Sequence, residues 1–565
     1  MTTGDLLVRG GLIVDGTGRS ARAGDVRVRG GLIAEVGDRL RPDGEPEIDA
    51  AGAYVGPGFI DTHTHFDPTL FWDRRCDPMP EHGVTSVLVG NCSLSLAPVR
   101  DDQRDAVTRL FCYVEDLPEA TFTGSIPFTW RTYGEYLDAL GYGGSAVNVA
   151  TLVGHTPLRL HAMGDEAWER AATRSECEAI AELLNEALGA GAFGLSTSLG
   201  FDTDPDGRPA PSQFADDDEL GRLADVLAAS QRFLQFIPTP GHRRLMRDVQ
   251  RVADITGPRH VTSTWIGVFD DPDVPGLAVE LLDFAADLQA VGVPTHPQVS
   301  PRTLDIQANW DGGMSFSTLV EGWHKVVQAD RDGKRRLLED PAWRATARAE
   351  WDQVPRAIIP HKAVDRIRLM SANRAEDQRW VGATLADLVA ERGGHPSDVL
   401  ADWVLANDLA PSISVGVANS DPAGVAETLR HPAAVVSNSD AGAHVQMMCA
   451  AGDTTLLLTR HVRDRQDLSV EQAVHALTSR QAELFGFEGR GMLAPGALGD
   501  LVVFVLDELS WEPDVPVRDL PAGASRLRRP PGGYRATVVG GVVTQQHGQP
   551  TEALPGTVLR RGVTG

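Results

Sequence analysis

The sequence predicts an α/β protein: a (β/α)8 barrel of the TIM type, with a small composite β-sandwich drawn from both termini and a helical insertion before the last barrel strand. Three observations carry this expectation. Eight short, almost continuous apolar runs alternate with helix-like stretches, the pattern of a parallel sheet buried on both faces. The first of these runs ends in His63-Thr64-His65. Both chain ends hold Gly-punctuated strand pairs that are too small to be stable alone.

Residues 1 to 55 repeat the string Val-Arg-Gly-Gly-Leu-Ile, at 8–13 and again at 28–33 in the form Val28-Arg29-Gly30-Gly31-Leu32-Ile33, which reads as two related hairpins. Strand-like runs at 499–505 and 536–543 supply the partner, so residues 1–55 and 488–565 are expected to form one domain. Residues 56–487 then form the barrel. Its strands are expected at 54–60, 85–90, 147–154, 193–197, 233–237, 260–265, 293–299 and 433–439, with helices at 175–190, 220–229 and 277–291. The interval 303–432 is too long for one crossover. Its tryptophans, Trp310, Trp323, Trp343, Trp351 and Trp403, lie among charged, helix-favouring residues, so it reads as a helical insertion or lid in which the tryptophans pack.

Composition narrows the function classes. The chain has 565 residues, 42% of them hydrophobic, enough for a large core, and a barrel absorbs about 250 or more residues as one domain. Its 52 basic and 78 acidic residues leave a net charge of −26. That balance argues against nucleic acid or an anionic membrane as partner and favours a small-molecule substrate, in a monomer or a homo-oligomer. Five cysteines without framework spacing point to a reducing compartment. The start shows no basic region followed by an apolar one, and no run nears about 18 apolar residues, so a cytoplasmic protein is expected.

Barrel sites form at the C-terminal ends of the strands, and this selects the chemistry. In an extended strand His63 and His65 share a face and can aim at one ion. Strand two delivers Cys92 at its exit, and strand eight delivers Asp440. Two imidazoles, a thiolate and a carboxylate suit Zn²⁺, which lowers the pKa of water to about 7 and polarises a carbonyl. A neighbouring carboxylate can take the water's proton and hand it to a leaving nitrogen, and Asp440 is the candidate. His155 and His444 also follow strands; each either faces substrate as a donor or proton shuttle, or is satisfied by a backbone carbonyl. Arg159 and Arg302 are candidates for a substrate carboxylate, with a rim salt bridge as the alternative.

His63-Thr64-His65, the segment 90–98 (Gly-Asn-Cys-Ser-Leu-Ser-Leu-Ala-Pro), Gly194-Leu195-Ser196-Thr197-Ser198, Ser439-Asp440 and the closing segments at 490–504 and 519–527 together resemble the amidohydrolase superfamily, and within it the D-aminoacylases (N-acyl-D-amino-acid deacylases). The resemblance implies zinc-dependent amide hydrolysis, His63 and His65 as ligands, Cys92 in place of the superfamily's carboxylated lysine, and Asp440 as ligand and acid/base. The chain departs from the pattern at strands five and six, Leu234-Gln235-Phe236-Ile237 and Val261-Thr262-Ser263-Thr264-Trp265, which lack the family's histidines and its substrate-contacting lysine. His242, His260 and His296 are the nearest substitutes. One metal ion is therefore expected. The leading activity is hydrolysis of an N-acyl-D-amino acid. The alternatives are a cyclic amide, imide or lactone (or C–C cleavage) without an α-carboxylate, and a non-catalytic binding protein.

Overall fold

The computed structural model describes residues 4–562, apart from 201, 272, 309, 311–320, 354–362 and 438. Eight parallel strands form the central sheet: β1 (Phe59–Asp61), β2 (Val84–Val89), β3 (Asn148–Gly154), β4 (Gly194–Ser198), β5 (Phe233–Ile237), β6 (Ser263–Trp265), β7 (Thr295–Val299) and β8 (Val435–Val436). They pair in sequence order from β1 to β8. A parallel bridge between Thr64, just past β1, and Ala441, past β8, brings the first and last strands together. The sheet thus curls into an α/β barrel. Every residue of β2 and β3 is buried, which is why these strands carry no polar alternation.

Helices such as Arg174–Ala190, Asp217–Ser230 and Leu277–Ala290 cover the sheet. The first begins with a capping box, Thr173 accepting from the Glu176 N–H while Glu176 reaches back, and ends at Gly191 in the left-handed region (φ 118°). The apolar face that it buries, including Ile180, Leu184 and Leu188, belongs to the barrel core.

The terminal strands join in one continuous nine-stranded sheet, the form taken here by the sandwich expected from both ends. Leu501–Phe504 lies between Tyr54–Pro57 and Ala536–Val539, antiparallel to both, and so ties the two ends of the chain together. Tyr54–Pro57 leads straight into β1, which carries the histidine pair.

The insertion differs from the expected helical one. Besides helices such as Glu321–Gln328, Pro341–Gln353 and Pro396–Ala406, it holds an antiparallel sheet of Leu304–Ala308, Ile413–Ala418 and Ile367–Leu369. These strands are three to six residues long, and only the alternation in Ile367-Arg368-Leu369 (buried, exposed, buried) marks one of them against the charged helices around it. The last helix of the interval, Pro422–Arg430, packs on barrel helix Leu277–Ala290. It is therefore a barrel element. All five tryptophans are buried in one cluster, with Trp323 in contact with Trp310 (5.4 Å) and Trp343 (5.3 Å). Asn419 Nδ2 donates to the carbonyls of Ser300 and Arg302, fixing this unit beside the barrel mouth. No helix among the described residues is long and apolar enough to cross a membrane.

Candidate metal centre

Backbone hydrogen bonds hold the residues after β1 extended. Thr64 N–H donates to Leu88 O (3.1 Å), His65 N–H to Ala441 O (2.7 Å), and Asp440 N–H to His63 O (3.0 Å). His63 and His65 therefore point the same way while the Thr64 hydroxyl donates to Leu88 O on the other side. Cys92 follows Gly90, whose φ of +81° and close approach to the Leu152 carbonyl (a Cβ would lie 2.2 Å from it) require glycine. Cys92 (φ 59°), Ser93 (69°), Asp440 (67°) and His444 (50°) all adopt left-handed backbone that non-glycine residues rarely take. Such strain gathers where side chains must be aimed.

The aimed atoms converge. His63 Nε2 lies 3.2 Å from Cys92 Sγ and 3.6 Å from Asp440 Oδ1, and His65 Nε2 lies 3.2 Å from the same Oδ1. The donor atoms of His63, His65 and Cys92 are all within 4.8 Å of one another. His444 Nε2 stands 3.6 Å from the other oxygen, Asp440 Oδ2. A second layer orients both rings. Gln298 Nε2 donates to Thr264 Oγ1 (3.0 Å), so its Oε1 faces His63 Nδ1 (2.8 Å) and accepts the ring proton there. Glu115 Oε1 stands 3.0 Å from His65 Nδ1, with both residues buried. Each ring is thereby left with Nε2 for the shared point. Glu115→Gln and Gln298→Leu are each expected to weaken zinc affinity by about 10–100-fold, read by chelator competition on protein with unchanged far-UV circular dichroism; unaltered affinity would leave this layer without a role.

The charges show what the site lacks. Burial lowers the His63 imidazole to about 4 and pushes the Cys92 thiol up to about 12. Burial works against charge on His65 as well, but Glu115, Cys92 and Asp440 hold its imidazolium well above the ordinary range. At Asp440, burial is outweighed by His65, His444 and His63, and the carboxyl sits far below the usual carboxylate range. The proton on His65 thus serves as the only positive charge inside a ring of donors. A divalent cation would take over that role, and two nitrogens, one sulfur and one carboxylate oxygen fit Zn²⁺.

The structure does not bring every candidate into this cluster. His155 is completely buried, with Nδ1 2.9 Å from Thr197 Oγ1 and Nε2 2.8 Å from Glu219 Oε1. Arg159 is equally buried, paired with the same Glu219 and donating to Arg170 O (2.7 Å). Both are occupied within a structural network, so the catalytic role expected for His155 and the substrate role expected for Arg159 are corrected. Their strand-exit positions could not reveal Glu219, which arrives from the helix after β4. Arg302 lies next to the site, but its guanidinium is held by Asp453 (3.1 Å) and by Ser439 O (3.1 Å), so it braces the Asp440 turn. His242 pairs with Glu280 (3.1 Å), His296 contacts Gln289 (3.2 Å), and His260 precedes β6. No second group of three metal donors gathers among the described residues. On β5, Gln235 Oε1 accepts the Cys92 N–H (2.9 Å).

Glu115 and Gln298 were missed from sequence. Glu115 is one ordinary acid after the helix Arg104–Val114, whereas Gln298 did carry a signal as a polar residue inside an apolar barrel strand. A cavity of about 390 Å³ adjoins the site, walled by Phe66, Leu117, Ala443 and Met448, with Arg526 and Arg528 at its rim, both paired with Asp77.

Comparison with known proteins agrees with this geometry. The chain is 30% identical over 574 residues to an uncharacterized protein of Mycobacterium tuberculosis, covering 97% of this chain and 92% of that one. It is 29% identical over 573 residues to the N-acyl-D-glutamate deacylase of Alcaligenes xylosoxydans, covering 99% and 96%. The solved N-acyl-D-glutamate deacylase of Bordetella bronchiseptica, complexed with zinc and a phosphonate inhibitor, superposes with a TM-score of 0.68 at 26% identity, covering 99% of this chain and 100% of that one. The model of the amidohydrolase family matches residues 46–545, and the chain belongs to that family.

Proposed function

We propose that this protein hydrolyses the amide C–N bond of a small N-acylated compound, with N-acyl-D-amino acids as the substrate class, using one Zn²⁺ held by His63, His65, Cys92 and Asp440. Membership of the amidohydrolase family and the deacylase relatives make it a metal-dependent hydrolase of non-peptide C–N bonds. The observation that carries the finer reading is the convergence of four donor atoms around Asp440 Oδ1, with Oδ2 turned toward His444. Bound zinc supplies Lewis acidity, which brings the pKa of water to about 7 and polarises a carbonyl.

The chain's own residues do the rest. Asp440, 24% exposed at its side chain while His63 and His65 are sealed, takes the water's proton on its outer oxygen and returns it to the leaving nitrogen. His444 Nε2 steadies that oxygen as the charge changes. Arg302 holds the Ser439 carbonyl and so keeps the turn in place. A second reading, a cyclic amide, imide or lactone without an α-carboxylate, is favoured by the engagement of both Arg159 and Arg302 with carboxylates of the protein.

Zinc-reconstituted protein assayed against N-acetyl-D- and N-acetyl-L-amino acids, cyclic imides and lactones separates the two. Release of free D-amino acid, abolished by a chelator and restored by Zn²⁺, is the expected result. Turnover confined to the cyclic compounds would replace the first reading by the second.

A further inference from the structure

The loop after β4 ends in a buried acid that no protein group answers. Asp202 is 6% exposed and Ser198, the last residue of β4, is fully buried, yet neither Asp202 Oδ2 nor Ser198 Oγ completes a hydrogen bond among the described residues. Unpaired buried polar groups are rare in folded proteins and call for a reason. Looseness is not that reason here, because the Asp202 carbonyl accepts both the Ala210 N–H (2.9 Å) and Gln213 Nε2. The loop is closed further by the Thr203–Pro209 bridge. Nor do the loop's arginines reach Asp202: Arg208 pairs with Asp204 and stacks on Trp168, and Arg109 pairs with Asp206.

The carboxyl stands at the C-terminal end of a barrel strand, where barrel enzymes bind substrate. It lies within electrostatic reach of His65, Glu115 and Asp440. Burial raises it to about 6, and its neighbour Ser198 only partly opposes this. A buried carboxylate beside a buried hydroxyl, in a field already set by Glu115 and Asp440, accepts hydrogen bonds and repels anions.

We propose that Asp202 and Ser198 form a substrate-recognition pair that selects acylated amines bearing a nitrogen donor, amide or ammonium, on the leaving-amine portion, and disfavours those bearing a second carboxylate. This rests on the amide-hydrolase reading and adds the chemistry of the substrate's variable group. It also separates this chain from its relatives named for acylated glutamate and aspartate.

The test is direct binding of three closely matched compounds, N-acetyl-D-glutamate, N-acetyl-D-glutamine and N-acetyl-D-ornithine, to zinc-loaded protein by titration calorimetry, followed by turnover of the same three. The glutamine and ornithine compounds are expected to bind at least about 10-fold more tightly than the glutamate compound. In Asp202→Asn that gap should shrink to within about 3-fold, with Ser198→Ala giving a smaller change in the same direction. Equal or tighter binding of the glutamate compound, or a gap unchanged in both variants, overturns the proposal. Ordered binding without hydrolysis would overturn the deacylase reading and leave this one standing.

Discussion

Asp440→Asn is expected to lower kcat for amide hydrolysis by about 10²–10⁴-fold while leaving the far-UV spectrum and thermal midpoint close to those of the parent protein. Asparagine keeps the size of the side chain and an amide oxygen that can still face His63 and His65. It cannot carry a proton from water to nitrogen. Asp440 is the one carboxylate whose two oxygens are divided between tasks, Oδ1 toward the two ligand histidines and Oδ2 toward His444. Steady-state turnover with metal content measured on the same sample separates the two roles: full zinc with lost turnover assigns proton transfer, and lost zinc assigns ligation. Turnover within about 10-fold of the parent, with zinc retained, would move the acid/base role to His444.

The parts of this site that were legible in the sequence share one property. His63, His65, Cys92 and Asp440 sit where apolar strands end, and a barrel sends every strand end to one mouth. Strand order therefore translated into proximity without any knowledge of loops. The same rule failed at His155 and Arg159, because a strand end fixes where a residue starts and leaves open what it meets. Glu219 lies on the next helix, 60 residues beyond Arg159, and no local pattern announces that pairing. Glu115 escaped for the same reason: its partner His65 is distant in sequence and its neighbours are unremarkable. The strands hidden in the insertion were lost to length, since three residues of alternation are indistinguishable from a turn of helix. The barrel strands were found because they are buried on both faces and surrounded by long helices.

Cys92→Ala is expected to weaken zinc binding by at least about 100-fold, because second-layer partners alone are worth 10–100-fold and the sulfur is a direct donor in the proposed set. Three consequences distinguish loss of a ligand from loss of packing. First, alanine removes the only soft donor, so the stoichiometric zinc found in the parent by elemental analysis should fall below one equivalent after dialysis. Second, zinc at 100 times its Kd stabilises the parent by about 2.7 kcal/mol, and that zinc-dependent rise in thermal midpoint should vanish in the variant. Third, the thiol is held protonated by burial, pushed up to about 12, and the His65 imidazolium well above its ordinary range. Metal must displace those protons, so zinc affinity in the parent rises with pH and falls as the solution is acidified. Without the thiol one displaced proton is gone, and the pH slope of log Kd becomes shallower by up to one. Calorimetry in buffers of different ionisation enthalpy counts those protons directly. A variant that keeps its zinc, its zinc-dependent stabilisation and its proton release would return Cys92 to the role of a small buried side chain and leave the metal to His63, His65 and Asp440 alone.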